Sequence, residues 1–451
     1  MNIINLKISL FNNLIVCNPV LLVVDIVAII LFLYLYYKKC YKNNIVIDFW
    51  HWILFIPYFI TVLLMYPFAA SPNNAISLGN DLLGAANFTD QAFLIHLLGF
   101  FSFYIGATLY KKNYIFDNIR QKIINTNIAV FSRISCNEQL VIKIIILLYL
   151  ILITIFYIYG FTFFLRDIAM LDGQFRPIYN LLFSVIFPFF FQYMLLNFII
   201  NKNKCSLIFC LAFFILLSFA NSRTSLLLPI INIVVIYFIV NKTNKIYKIF
   251  LWGLAFVITF LLIDKIRISI FLSTTDLNSA SFVFRLLYGN NFADLRDFSA
   301  VLAHWNGEFI SGKSYIAAFM SFIPREFSEF RTEWGISRYT TQTLLNFADF
   351  HPGMRCGWFG EAFFNFGYLG VILVGVIGGY LAKYINDSII NISCNLSLSQ
   401  KYIKVFSLFI VYDIFSNFYI TAAFWNFYIK IGLLLIAYYA LIYRKIGNKN
   451  V

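Results

Sequence analysis

Long apolar runs recur along this chain, and they constrain its fold more than any other feature. Runs of about 17 to 25 residues are long enough to cross a hydrocarbon core about 30 Å thick. They occur near 19–37, 49–68, 91–110, 141–160, 178–200, 205–220, 225–240, 247–264, 356–382, 402–420 and 421–442. With 61% hydrophobic and only 12% charged residues, the composition lies far outside that of soluble globular domains. We therefore predict an all-α polytopic integral membrane protein with about eleven transmembrane helices.

Lysine and arginine are divided between two alternating sets of loops. One set comprises 38–48, 111–143, 201–204, 241–248, 383–404 and the tail from Tyr443, and it holds most of the lysines. By the positive-inside rule these segments are cytoplasmic, which predicts an external amino terminus and a cytoplasmic carboxyl terminus. Sorting of this kind explains the net charge of +14 better than a nucleic-acid partner does.

The external set of loops holds ten of the thirteen arginines. Its longest member, 265–355, carries seven arginines and two lysines, although lysine is the commoner cation in the whole chain. Loops of this length tend to be functional, and the aromatic residues along it predict short interfacial helices. The predicted organisation is 1–264 with helices one to eight, 265–355 as a large external loop, and 356–451 with helices nine to eleven and a cytoplasmic tail.

Arginine is the residue of planar, bidentate phosphate recognition. Arg223 lies in the turn between the short spans 205–220 and 225–240, where a cation is costly unless it reaches lipid headgroups or meets a substrate phosphate. Arg296–Asp297 and Arg325–Glu326 are neighbouring opposite charges. These pairs could also be surface ion pairs that fasten the loop, and sequence neighbourhood does not establish pairing.

Further polar and aromatic groups approach the start of span nine. Hydroxyl, imidazole and guanidinium groups interleaved with aromatic rings suit a carbohydrate, although interfacial aromatic belts have a similar composition. The residues concerned are Arg338, Tyr339, His351 and Arg355.

Span nine begins with an ionisable residue and several glycines. Glu361 and Asn365 are four residues apart and share a helix face. A carboxylate inside a span indicates catalysis or substrate binding, and a structural salt bridge to a loop arginine is the alternative. The glycines from Gly360 to Gly379 predict close helix packing.

Other isolated polar groups are interpreted as structural. Asp413 and Lys430 are expected to neutralise one another, Asp25 and His96 to be satisfied polar groups of the core, and His51 to be an interfacial anchor. The seven cysteines show neither a disulfide framework nor metal-ligand spacing, so we expect no metal and no cofactor.

Several motifs in order resemble those of one family. They are the Arg223 turn, the Arg296–Asp297 step, Gly312-Lys313-Ser314-Tyr315, Pro324–Arg325 and Gly360-Glu361 followed by Asn365-Phe366-Gly367 and Gly370. Together with the late external loop, this order resembles the Wzy-type O-antigen polymerases, which polymerise oligosaccharide repeat units. The resemblance covers roughly Ala220 to Gly379.

That resemblance implies a GT-C-like membrane glycosyltransferase of the bacterial inner membrane. It would transfer glycan from an undecaprenyl pyrophosphate carrier to a fresh lipid-linked repeat unit on the periplasmic side, with a chain-length regulator protein as a further partner. Fixed guanidinium groups would stabilise the departing pyrophosphate without a metal, and a carboxylate or imidazole would take the proton of the attacking hydroxyl. We assign the pyrophosphate to Arg223, Arg296 and Arg325, the base to Glu361, His351 or Asp297, and substrate contacts to Arg285, Arg338, Tyr339, Arg355 and Asn365.

Three alternatives remain open at this point. An O-antigen ligase shares the donor and the late loop. A lipid-linked oligosaccharide flippase would have related halves and a charged central cavity, whereas here the charge concentrates in one external loop. A structural partner in an export complex would not need an intramembrane arginine and glutamate.

Overall fold

A computed structural model describes residues 8–10, 14–43, 47–74, 80–111, 114–136, 179, 181–219, 223–241, 284, 287–289, 292–324, 327–347, 353–392, 396–421 and 424–447, with isolated helical positions between 143 and 157. Within these residues the chain is mostly helical. The exception is one antiparallel pair of three-residue strands, β1 (Ile8–Leu10) and β2 (Ile15–Cys17), in which Ile8 is opposite Cys17.

The first long helix, α1, spans Pro19–Lys39. Asn18 caps it, because its Oδ1 accepts a hydrogen bond from Val20 N at 3.0 Å and Pro19 needs no donor partner in the first turn. Lys38 and Lys39 occupy its last turn, where cations are favoured. Only Asp25 and Phe32 of this helix are buried. Leu21, Leu22, Ala28 and Ile29 pack partly against the core, and the opposite face of the helix is exposed and apolar.

The next segment changes its helical pitch twice. It runs through α2 (Phe49–Leu54), a π-helical stretch (Phe55–Leu64) and α3 (Tyr66–Ala69). Pro57 lacks the N–H that a regular helix needs, and its carbonyl accepts a hydrogen bond from Thr61 Oγ1 at 3.0 Å. The connection to the next helix contains 3₁₀ turns at Pro72–Asn74 and Asn80–Phe88.

Two long helices, α4 (Thr89–Leu109) and a later helix that spans Gly357–Ile390, pack most extensively among the described elements. Small residues allow their backbones to approach closely. A Cβ atom on Gly379 would lie 1.9 Å from the carbonyl oxygen of Phe103, and one on Gly106 would lie 2.1 Å from that of Val376. The close packing predicted for the glycines of span nine is therefore present.

The middle of the chain contributes a second group of helices. They are α5 (Tyr114–Cys136), a π-helical stretch (Leu181–Ile186) continuing into α6 (Phe187–Asn201), α7 (Lys204–Phe219) and α8 (Arg223–Asn241). The predicted short helices around Arg223 correspond to α7 and α8. Helix α5 lies inside the segment 111–143, which was predicted to be a cytoplasmic loop.

The long loop contains the short helices expected of it. They are α9 (Asp294–Ala303), α10 (Lys313–Phe319) with a 3₁₀ turn at Met320–Phe322, α11 (Glu329–Trp334), α12 (Ile336–Arg338) and a π-helical turn at Tyr339–Leu344. They precede α13 (Gly357–Ile390), and the chain ends with α14 (Leu398–Ser416) and α15 (Trp425–Gly447). As predicted, Lys430 Nζ pairs with Asp413 Oδ2 between these last two helices.

Four helices of the described chain are long and apolar enough to cross a membrane: Pro19–Asn43, Gly84–Leu109, Leu181–Asn201 and Gly357–Ile390. Shorter apolar helices lie at Phe49–Leu64, Lys204–Leu217, Leu226–Asn241 and Trp425–Ile436. The protein is therefore a membrane-embedded, mostly helical chain. The number of eleven spans stays a prediction, because 247–264 and most of 141–160 fall outside the described residues.

Packing between α4 and α13 can be tested with one methyl group. Gly379→Ala places a Cβ against the Phe103 carbonyl oxygen, and we expect the free energy of unfolding in detergent to fall by about 1–3 kcal/mol, the usual cost of overpacking. Gly432→Ala in α15 is the matched control, since nothing lies within 4 Å of its added Cβ. Equal stability of the two variants would contradict close packing at Gly379.

Candidate functional site

Helix α13 is broken at Gly367, and the long loop is bound to the break. Gly367 has φ 63° and ψ −151°, a conformation that glycine adopts and L side chains avoid. A break of this kind leaves carbonyl oxygens of the preceding turn without their helical donors. The backbone N–H of Ile310 donates to the Phe364 carbonyl at 2.9 Å, and that of Ser311 donates to the Asn365 carbonyl at 3.1 Å. Loop backbone thus replaces the missing helical hydrogen bonds.

The carboxylate of Glu361 lies one and a half turns before this break and is 3% exposed. Its Oε1 accepts a hydrogen bond from Ser314 Oγ in α10 at 2.7 Å and another from Thr421 Oγ1, which precedes α15. Asn365 Nδ2 donates to Ser314 Oγ and to the backbone carbonyl of Glu361, both at 2.8 Å. Glu361 and Asn365 therefore belong to one buried polar network that joins the loop, α13 and the segment before α15.

The sequence left two roles open for Glu361: catalysis or substrate binding, and a structural salt bridge to a loop arginine. Within the described residues its carboxylate meets hydroxyl groups and no cation. Arg325 lies outside these residues. Burying a carboxylate is costly unless its hydrogen bonds are satisfied, and Ser314 and Thr421 supply two of them.

A second polar group lies on α9 and contains two acid–base pairs. Arg296, 5% exposed, donates to Asp297 Oδ1 through Nε at 3.1 Å and through Nη2 at 2.8 Å, and its Nη1 donates to the Tyr288 carbonyl at 3.1 Å. The neighbouring residues thus pair directly, which their sequence proximity did not establish. Arg355 Nη1 lies 3.5 Å from Asp294 Oδ1, and burial raises the pKa of Asp294 while the Arg355 guanidinium opposes that rise.

The two polar groups approach one another around Cys356, the residue before α13. The carboxylates of Glu361 and Asp294 both lie close enough to the buried Cys356 thiol to interact with it electrostatically. The ring of Phe298 in α9 fills the space beside Gly360, where a Cβ would lie 2.9 Å from its Cε2. Helix α9 therefore packs directly on the first turn of α13, and its charges lie at the entrance to that helix.

The described arginines of this site differ in how accessible they are. Arg296 lines a cavity of about 10 Å³, room for about one water, so an anion that bound its guanidinium would have to replace Asp297. Arg355 is 49% exposed at its side chain. It can meet an anion with no rearrangement of the core.

Arg338 lines a separate, open cleft of about 410 Å³. Its Nε donates to Gln342 Oε1, and the other lining residues are Glu329, Thr332, Glu333 and Thr343. Tyr339, predicted to contact substrate, instead lies buried between Trp334 and Phe364, with ring centroids 6.2 and 6.1 Å away. Its structural environment is that of a packing residue.

Four predicted site residues lie beyond what the structure describes. Arg285, Arg325 and His351 fall outside the described residues, and Arg223 begins α8 but its side chain is not among those described. Their assignments to pyrophosphate, base and substrate contacts stay predictions.

Sequence reasoning missed three residues of this region. Ser314 and Thr421 are common hydroxyl residues, and nothing in their local sequence marks them as partners of Glu361, 47 and 60 residues distant. His96 was predicted to be a satisfied core residue, and this prediction is wrong within the described chain. Its two ring nitrogens are buried without a hydrogen-bond partner there, and its ring packs on Phe298 and Phe359 beside the start of α13.

The hydroxyl support of Glu361 gives a stability test. Thr421→Val keeps the side-chain shape and removes a donor from a buried carboxylate, so we expect the free energy of unfolding to fall by about 1–3 kcal/mol. Thr108→Val is the matched control, since that exposed hydroxyl bonds only to the Ile105 carbonyl of its own helix. Its effect should stay within about 0.5 kcal/mol, and a similar loss in both variants would argue against a stabilising contact at Glu361.

Comparison of this chain with protein-family models, with curated proteins and with solved structures finds no match.

Proposed function

We propose that this protein is a membrane glycosyltransferase that polymerises undecaprenyl-pyrophosphate-linked oligosaccharide repeat units into a bacterial surface polysaccharide. The observation that carries the proposal is the buried Glu361 carboxylate, held by hydroxyl groups where the long loop covers the break in α13. An ionisable group inside a membrane helix is costly to fold and indicates function. The arginine-rich loop beside it supplies the complementary charge for an anionic donor.

The proposed reaction needs an acceptor for one proton and stabilisation of one leaving group. The acceptor sugar hydroxyl attacks the anomeric carbon of the donor, the bond from that carbon to the pyrophosphate oxygen breaks, and the hydroxyl proton passes to a base. Glu361 is the base we favour, with His351 and Asp297 as the other candidates. Both described carboxylates already accept hydrogen bonds. Asp297 is the weaker candidate because its partner is the charged Arg296 guanidinium, and protonation would break that ion pair, whereas Glu361 Oε1 meets neutral hydroxyl groups.

The leaving pyrophosphate carries its negative charge at the interface, where guanidinium groups stabilise it best. Arg355 supports this step because its half-exposed guanidinium lies just before α13. Arg223 and Arg325 are proposed as its partners, and Arg296 joins them if substrate displaces Asp297. The open cleft at Arg338, lined by carboxylates, an amide and hydroxyls, suits the hydroxyl-rich face of the acceptor glycan.

The setting of the reaction also belongs to the proposal. An external amino terminus, a cytoplasmic carboxyl terminus and an external long loop are proposed from the charge asymmetry of the loops. The bacterial inner membrane, with the long loop in the periplasm, is proposed from the resemblance to the Wzy-type polymerases. A chain-length regulator is the proposed protein partner. An O-antigen ligase would use the same donor, and glycan analysis of a deletion strain separates the two. Caps of a single repeat indicate loss of a polymerase, and a total absence of capped core indicates loss of a ligase or of a lipid-linked oligosaccharide flippase.

Glu361→Gln tests the proposed base. Glutamine keeps the size of the side chain and can still accept hydrogen bonds from Ser314 and Thr421, but it cannot take a proton at neutral pH. With purified lipid-linked repeat units in detergent, we expect ladder formation to slow by about 10²- to 10⁴-fold while the protein stays folded. Glu308→Gln, an exposed carboxylate of the same loop, is the control and should keep the parent rate. Unchanged ladders with Glu361→Gln would exclude this residue as the base.

Arginine-to-lysine variants test pyrophosphate stabilisation, because lysine keeps the charge but loses the bidentate geometry. We expect Arg223→Lys, Arg325→Lys and Arg355→Lys each to slow polymerisation by about 10²-fold without loss of folded protein in the membrane. Arg120→Lys is the control: Arg120 pairs with Asp117 at 3.1 Å in α5, a segment predicted to be cytoplasmic. Normal chain length in all three variants would remove these arginines from the site.

A further inference from the structure

A second cluster of reactive side chains lies away from the loop, at the turn between α1 and α2. Cys40 Sγ lies 3.7 Å from His51 Nδ1, and Asp48 Oδ1 lies 2.6 Å from the same nitrogen. The three ligand atoms offered by these residues all lie within 4.8 Å of one another. The cluster is buried, since Cys40 is 0% and His51 1% exposed.

Local structure fixes the backbone of each of these residues. Cys40 is the C-terminal cap of α1, and its N–H donates to the Tyr36 carbonyl at 2.8 Å. Asp48 is the N-terminal cap of α2, where its Oδ1 accepts from His51 N at 2.8 Å. His51 lies in the first turn of α2. The two helix ends therefore hold a thiol, a carboxylate and an imidazole close together, and this arrangement does not depend on a bound ligand.

Hydrogen bonds connect these side chains when no ligand is present. A protonated Nδ1 donates to Asp48 Oδ1 over 2.6 Å, and the Cys40 thiol also hydrogen-bonds the Asp48 side chain. The remaining ring nitrogen, Nε2, is buried without a hydrogen-bond partner among the described residues. The Asp48 carboxylate is therefore the common partner of the thiol and the imidazole, and three possible ligand atoms lie close together.

A divalent cation between these atoms would replace the thiol and imidazole protons that connect the three side chains. Zinc binds cysteine sulfur at about 2.3 Å and histidine nitrogen or carboxylate oxygen at about 2.0 to 2.2 Å, in tetrahedral geometry. Those bond lengths place the sulfur and nitrogen ligands about 3.5 Å apart, close to the 3.7 Å between Cys40 Sγ and His51 Nδ1. The 2.6 Å contact between His51 and Asp48 has to widen.

Charge and ligand type also favour zinc. A thiolate and a carboxylate together neutralise a divalent cation, and a mixed sulfur, nitrogen and oxygen set suits zinc better than magnesium or calcium. Two cations lie nearby. Lys39 interacts electrostatically with Asp48 and Cys40, and its Nζ lies 4.5 Å from the ring centroid of Trp50. Lys383 pairs with Asp387 at 2.7 Å.

We propose that Cys40, Asp48 and His51 form a zinc-binding site that ties the end of α1 to the start of α2, with one coordination position left for water. On binding, the thiol releases its proton to solvent, and the imidazole proton moves from Nδ1 to Nε2. The proposal differs from two expectations of the sequence analysis, that there is no metal-ligand spacing and that His51 is an interfacial anchor. The site is independent of the proposed glycosyltransferase chemistry, since neither it nor its ligands belong to the long loop.

Zinc binding by the purified full-length protein in detergent tests the site. After removal of metals by chelation and dialysis against zinc at defined concentrations, we expect one zinc ion per chain. Cys40→Ser and Asp48→Asn should each weaken binding by at least about 100-fold, since even the loss of an outer partner of a metal ligand costs about 10- to 100-fold. Asp48→Asn is the sharper variant, because asparagine remains a good helix cap while the anionic ligand is lost.

Cys205→Ser is the matched control, because Cys205 is a partly exposed thiol at the start of α7, away from the cluster. It should bind zinc like the parent protein. Cobalt substituted for zinc should give a thiolate charge-transfer band that Cys40→Ser abolishes and Cys205→Ser retains. Absence of stoichiometric zinc in the parent protein, or equal binding by Cys40→Ser and Cys205→Ser, would overturn the proposal and leave only a hydrogen-bonded helix junction.

Discussion

The arrangement of the candidate site depends on backbone hydrogen bonding at the break in α13. Inside a membrane protein an unpaired carbonyl costs several kcal/mol, as a rough guide, so a helix can break there only where other groups replace the lost donors. The amides of Ile310 and Ser311 do so. Their position fixes the loop against the helix, and α10, which begins two residues later, then carries Ser314 to Glu361.

Close packing holds the helix that contains this break. Glycines on α4 and α13 bring the two backbones into contact, and this contact leaves little freedom for either helix to slide or rotate. Glu361 and Asn365 therefore face the loop from a rigid support, which is the condition under which a buried carboxylate keeps a defined set of partners. The polar network and the helix pair are consequently one structural unit.

Sequence patterns predicted the features that arise from local periodicity and composition. The apolar runs predicted the helical membrane class, the glycines of span nine predicted close packing, and the pairing of Asp413 with Lys430 followed from their similar depth in adjacent spans. Contacts between distant segments could not be predicted in the same way. Gly367 has the sequence context of a packing glycine, and only its dihedral angles identify the break. Cys40 and His51 likewise form a cluster only because two helix ends meet.

The arginines illustrate why residue type alone does not define an anion site. All of them offer the same planar set of N–H donors. Their surroundings determine which existing partner, if any, an incoming anion must displace from the guanidinium group. Binding at Arg296 requires exchange of a buried carboxylate that accepts two of its N–H groups, and breaking such a buried pair leaves an uncompensated charge unless the incoming anion takes its place. Arg355 needs no such exchange, because its contact with Asp294 is longer and its side chain is half exposed. Of these two arginines, an arriving anion would therefore meet Arg355 first. Arg296 would contribute only to an anion that is strongly charged and already held nearby. A diphosphate anchored in the membrane by its lipid satisfies both conditions, whereas a small soluble anion satisfies neither.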